Sequence, residues 1–88
     1  MTVDELCRRH RRVALDANVF IYLFEIDGPL ARKAVAVLDA VSTGRITGIT
    51  SSLTLTEVIV GPLVNGDETL AERYVDAIRS IEHLHVVP

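Results

Sequence analysis

Tryptophan is absent, and the aromatic residues are Phe20, Phe24, Tyr22 and Tyr74. A core without indole rings must be filled by Val, Ile, Leu and Ala, which leaves few large anchors. Cys7 is the only cysteine. An internal disulfide is therefore excluded, and a reducing compartment is the simpler setting. A catalytic thiol would need a histidine placed by the fold; His10 is close in sequence, but both lie in a charged leader. No stretch reaches the ~18 apolar residues of a membrane span. The N-terminus has no apolar signal-peptide region, and its arginines follow rather than precede any hydrophobic segment. The chain reads as soluble and cytoplasmic, with no membrane partner. Repeats and low-complexity segments are missing too.

What is present suits one small domain. The 88 residues are 49% hydrophobic, ordinary for a globular protein and too high for a disordered one. A domain of this size buries only about 60% of the surface its unfolded chain exposes, so the core is modest. The net charge of −3 gives no overall attraction to nucleic acid. The charge is uneven, however. Arg8, Arg9, Arg11 and Arg12, in "RRHRR", are four of the nine cations. They form the best candidate contact for RNA phosphates, although a solvated arm or an acidic protein partner would use them equally well.

Residues 1–12 read as a basic leader, with at most a short helix and no clear core face. The domain proper is expected over 13–88. Val13 to Asp16 reads as a short buried strand, after which Asp16 or Asn18 can cap a helix over Val19 to Phe24. Asp27-Gly28-Pro29 is a turn. Leu30, Ala34, Val37, Leu38 and Val41 then recur at helical spacing, with Gly44 as the stop. Arg45 to Thr50 is a short β-type run. Ser51 or Ser52 can cap the next helix, which carries Leu53, Leu55, Val58 and Ile59 and should end near Gly61-Pro62. Asp67 can cap a last helix whose stripe is Leu70, Tyr74, Ala77, Ile78 and Ile81. His83 to Val87 suits a strand. Strands separated by helix pairs argue for an α/β fold with parallel strands.

In open α/β sheets ligands bind beyond the carboxyl ends of the strands. Asp16 stands at such an end, and Glu57 lies one to two turns into the helix after the second strand. If both project toward one rim, their oxygens suit a hard cation, Mg²⁺ or Mn²⁺. Such an ion binds a phosphate oxygen and acidifies a bound water. Asn18 and Thr54 could steady the carboxylates or the waters. The residues alone equally allow a plainer reading, with Asp16 as a helix cap and Glu57 as a solvated charge. His83 and His85 have Zn²⁺-compatible strand spacing, but no third ligand presents itself.

"VALDANVFIYLFE" followed by "GITSSLTLTEVIVGPL" resembles the first half of a PIN domain, as in the toxin nucleases of toxin–antitoxin pairs. An apolar strand ending in Asp16, Asn18 two residues on, and Ile21-Tyr22 match the family's opening. The Ser/Thr cluster before Glu57 matches its second motif. The resemblance implies a three-layer, Rossmann-like fold with a short parallel sheet flanked by helices. It implies an Mg²⁺- or Mn²⁺-dependent endoribonuclease site in which Asp16 and Glu57 are the first two acids and metal ligands, with Asn18 as polar helper. It further implies an RNA substrate and an antitoxin protein as partner. The family's later acids lie beyond the segment matching "HLHVVP". The expectation is thus a truncated PIN domain with its C-terminal part missing, which holds the ion weakly and leaves one sheet face open. Such a module would form a homodimer or higher oligomer, and two non-nuclease roles compete. One is a non-catalytic module acting through dimerisation or an antitoxin-like partner. The other is a phosphatase-like site with Asp16 as nucleophile and Thr50 or Ser51 ending the second strand; Asn18 counts against it, because an amide cannot serve as the proton-donating acid.

Overall fold

The computed structural model describes residues 2–25 and 28–88. Its order is α1 (Val3–Arg9), β1 (Arg12–Ala14), α2 (Ala17–Glu25), α3 (Pro29–Ser42), β2 (Thr47–Ser51), α4 (Ser52–Val64), α5 (Glu68–Arg79) and β3 (Leu84–Val87). The three strands form one parallel sheet in the order β1-β2-β3. The chain is therefore an α/β domain with two β-α-α-β crossovers, as the sequence pattern predicts. The Asp27 end of the expected turn lies outside the described residues.

Local chemistry explains most boundaries. Asp16 Oδ1 accepts from the Asn18 amide at 3.1 Å and caps α2, so of the two proposed caps Asp16 is the one used. Pro29 occupies the first turn of α3, where its missing N–H costs nothing. Ser51 Oγ accepts from Thr54 N at 3.2 Å to start α4, and Asp67 Oδ1 accepts from Leu70 N at 2.9 Å to start α5. Gly44, just past α3, has φ +82°, a left-handed geometry that favours glycine. The imidazole of His83 lies over it, and His83 Nδ1 sits 3.2 Å from the Ser42 carbonyl oxygen. His83 itself has φ +63° and precedes β3 instead of joining it. The expected shared strand face for His83 and His85 is therefore not formed.

Three further expectations change. Helix α4 does not stop at Gly61-Pro62 but runs on to Val64 with Pro62 buried inside it. The proline removes one helical donor, and its apolar ring is retained by packing. In α5, Ala71 and Ile78 are buried while Ala77 is exposed, so the core stripe is rotated by part of a turn from the one expected. The leader forms the short helix, capped by Thr2, but it has a core face after all: Val3, Leu6 and Cys7 pack against the core. The exposed side chains of Asp4 and Arg45 pair at 2.6 Å, tying α1 to the segment before β2.

The register shows which sheet face is covered. Val13, Gly48 and Leu84 are aligned, as are Arg12 with Thr47 and Ala14 with Ile49 and His85. Alternation then places Val13, Leu15, Gly48, Thr50, Leu84 and Val86 on one face. That face meets the helices: a Cβ on Gly48 would sit 3.1 Å from Val41 of α3 and 2.9 Å from Leu84. The opposite face carries Arg12, Ala14, His85 and Val87, all exposed. Contacts of α2 with α3, and of α4 with both α2 and α5, join the long helices into one group. The described residues thus form two layers; the second helix layer of the expected three-layer fold has no counterpart among them.

Phe20, Val41, Ile46 and Ile78 are the largest fully buried side chains. Phe20, at 0% exposure, supplies the one large aromatic anchor at full burial. Replacing it, Phe20→Ala, should cost about 3–5 kcal/mol, a large share of the stability of a domain this small, and urea unfolding should show a matching fall in midpoint. The Asp4–Arg45 pair makes a second, weaker prediction. The guanidinium holds the Asp4 carboxyl below its ordinary 3.8 by hydrogen bond and charge. Its folded pKa is depressed, so the stabilisation is present above 3.8 and fades as pH falls through the lower folded value. Asp4→Asn should lower Tm slightly at pH 7 in low salt, and wild type and variant should converge near pH 2.

Candidate functional site

Parallel strands bring their carboxyl ends to one rim. There a cleft of about 620 Å³ is lined by Leu15, Asp16 and Val19 from one side and Thr50, Ser51 and Thr54 from the other, with Val87 at its edge. The Leu15 amide donates to the Ile49 carbonyl at 2.8 Å, extending the β1–β2 ladder one residue past Ala14. Thr50, 4% exposed, donates from Oγ1 to the Leu15 carbonyl at 2.8 Å. Backbone and side chain together hold the residue before Asp16 against the end of β2.

Asp16 is exposed at the mouth of this cleft. One of its oxygens receives the Asn18 amide. A carboxylate has about four acceptor positions, so capping α2 leaves most of its capacity facing the cleft. Across from it Ser51 Oγ and Thr54 Oγ1 lie 3.3 Å apart. Thr54 is 8% exposed. The arrangement is one carboxylate opposite a pair of hydroxyls, all oxygen donors.

Glu57 is not part of the cleft wall; it is exposed on α4. Its placement follows from helical spacing. Three residues after Thr54, it lies on the Thr54 flank of the buried Leu55–Val58 face. Ile59 and Leu63 lie on the other flank, where they line the groove with α5. Asn18 is exposed, and its described role is its backbone bond to Asp16. Among the described residues no cluster of three or more His, Cys, Asp and Glu is placed to hold a metal ion. The arginines lie away from the rim: Arg12 opens β1 whereas Asp16 follows its end, about 13 Å apart in extended chain. Arg8, Arg9, Arg11 and Arg12 are all exposed.

Thr50, which among the sequence readings enters only through the phosphatase-like alternative, is the buried bond donor of the site. The signal was parity: Thr50 is two residues from Gly48 and shares its inward face. Comparison of the chain with protein-family models, with curated proteins and with solved structures found no match.

Thr50→Val keeps the shape but removes the donor to Leu15. It should destabilise the protein by about 1–3 kcal/mol, since a buried carbonyl loses its extra partner, as measured by chemical denaturation.

Proposed function

We propose that the chain is a PIN-type, metal-dependent endoribonuclease fold, with weak activity when it acts alone. The observation that carries this reading is the placing of Asp16: it follows a parallel strand, on the rim where α/β sheets bind ligands, and opens onto a hydroxyl-lined cleft. The motif resemblance at Asp16, Asn18 and Glu57 supports the same reading.

The donor set fits Mg²⁺ or Mn²⁺ in kind, because every candidate ligand is an oxygen. It is sparse in number. Asp16 would be the principal ligand and Glu57 the second, with Thr54 and Asn18 supporting, and water would complete the shell. A bound divalent ion supplies Lewis acidity toward a phosphodiester oxygen and a more acidic water. The protein's own part is to orient: Thr50 fixes the backbone before Asp16, and Ser51 and Thr54 offer hydroxyls that bind phosphate oxygens or hold water in line.

Asp16→Asn separates this reading from a purely structural cap. Asparagine caps helices about as well as aspartate, so Tm should change little. Calorimetric Mn²⁺ binding should fall by tenfold or more, about 1.4 kcal/mol, and Mn²⁺-dependent cleavage of single-stranded RNA should vanish. Wild-type protein that neither binds Mn²⁺ nor cleaves would sink the nuclease reading.

A second reading, a non-catalytic module acting through self-association or an antitoxin-like partner, draws on exposed apolar surface. Leu53, Val60, Leu63 and Val64 of α4 are all exposed, Val64 at 79%, and one sheet face is uncovered. Exposed apolar surface, where it forms a patch, marks interaction sites. Here the expected result is a concentration-dependent dimer by analytical ultracentrifugation, reduced by Val60→Lys together with Val64→Lys, with no metal-dependent cleavage.

A further inference from the structure

The cleft at Asp16 does not end at the rim. Val19, on its wall, also lines a smaller cleft of about 200 Å³ between α2 and α3, with Tyr22, Leu30, Lys33 and Val37. Lys33 and Val37 in turn line a third cleft of about 510 Å³ between α1 and α3, with Leu6, Arg32 and Ala36. The shared residues Val19, Lys33 and Val37 set these three clefts in a row, a segmented surface channel leading from Asp16 past α2 and α3 to α1.

The chemistry of the channel is of one sign. Beyond Asp16 its described lining holds Arg32 and Lys33 and no carboxylate. The groove between α4 and α5, in contrast, is walled by Glu68, Glu72 and Asp76. In a chain of net charge −3, the two cations thus stand along an apolar floor that no carboxylate among the described residues lines. Tyr22 contributes an aromatic ring midway, and the other tyrosine, Tyr74, is stacked on Phe24 at 4.4 Å.

We propose that this channel is the track of a single-stranded RNA, with Lys33 and Arg32 taking successive phosphates and Tyr22 offering its ring to a base. The inference rests on the nuclease reading for the end of the track at Asp16. Cations along a groove with an aromatic platform are the recurring design of single-strand binding. The assignment moves RNA contact from the "RRHRR" arginines, near the other end of β1, to α3.

Fluorescence anisotropy of a labelled short oligouridylate, read in EDTA so that no cleavage occurs, tests it. Arg32→Gln and Lys33→Gln alter exposed side chains, so circular dichroism should match wild type. Each should weaken binding about fourfold at 0.15 M salt and lower the salt-dependence slope by about 0.7, the value of one single-strand phosphate contact. Tyr22→Leu should weaken binding with the slope unchanged. Affinity and slope unaltered in the Arg32→Gln, Lys33→Gln double variant overturn the proposal. So does a loss that appears instead in Arg11→Gln with Arg12→Gln, or a polyglutamate peptide bound in preference to the RNA. Asp16→Asn keeps the readouts apart: cleavage by this variant at the wild-type rate counts against the nuclease reading, whereas its EDTA binding reports on the track alone.

Discussion

The parallel seam between β1 and β2 is the constraint on which the rest of the molecule depends. Three aligned pairs, Arg12 with Thr47, Val13 with Gly48 and Ala14 with Ile49, are few for a strand pairing. They are extended by the Leu15 amide to Ile49 and by the Thr50 hydroxyl to Leu15. If that seam slipped by one residue, every side chain of β1 would change face. Leu15 would leave the core, and the residue after it would no longer stand opposite Ser51. Gly48 suits the seam because the side chains of Val41 and Leu84 occupy the space a Cβ would need on the covered side. A methyl group there would force Leu84 to move and Val41 to give by a few tenths of an ångström.

From this seam the packing follows in order. Strand β2 lies between two others, so the covered face is built on its inward residues Gly48 and Thr50. Phe20 and Leu15 enter from β1 and the helix it feeds, Leu55 and Val58 from α4, and Ile78 from α5. The helix starts are local and self-sufficient: Thr2, Asp16, Ser51 and Asp67 each accept from an amide two or three residues on. Asp16 thereby does two things at once. As a cap it accepts from the Asn18 amide, and as a lining residue it stands in the cleft at the sheet rim.

Much of this was legible in the sequence because it depends on short-range chemistry. Asp67, Ser51 and Gly44 announce helix ends by residue type alone, and the apolar spacing of α3 from Leu30 to Val41 gives its buried stripe. The errors came where packing overrides local preference. Pro62 marks a helix stop by propensity, yet burial keeps it inside α4. Ala77 fits the α5 stripe by spacing, but the face that α5 packs inward buries Ala71 and leaves Ala77 exposed. The histidine pair failed because His83 adopts a left-handed backbone over Gly44, which no alternation pattern reveals. The short helix expected within residues 1–12 is there, but its core face was missed because the charged composition hid three apolar side chains at helical spacing, Val3, Leu6 and Cys7, that dock it. At the rim, the position of Asp16 after a strand was readable from the apolar run before it; that Thr54 and not Glu57 lines the cleft was not, because it depends on how α4 is rotated about its axis.

Both outer strands of the sheet have one bare margin among the described residues, since β2 takes the inner margin of each. Open margins of this sort invite further strands. Here they are only three and four residues long, so an added strand gains few backbone bonds on either side. The brevity that makes the seam precarious also guards the molecule against polymerising edge to edge.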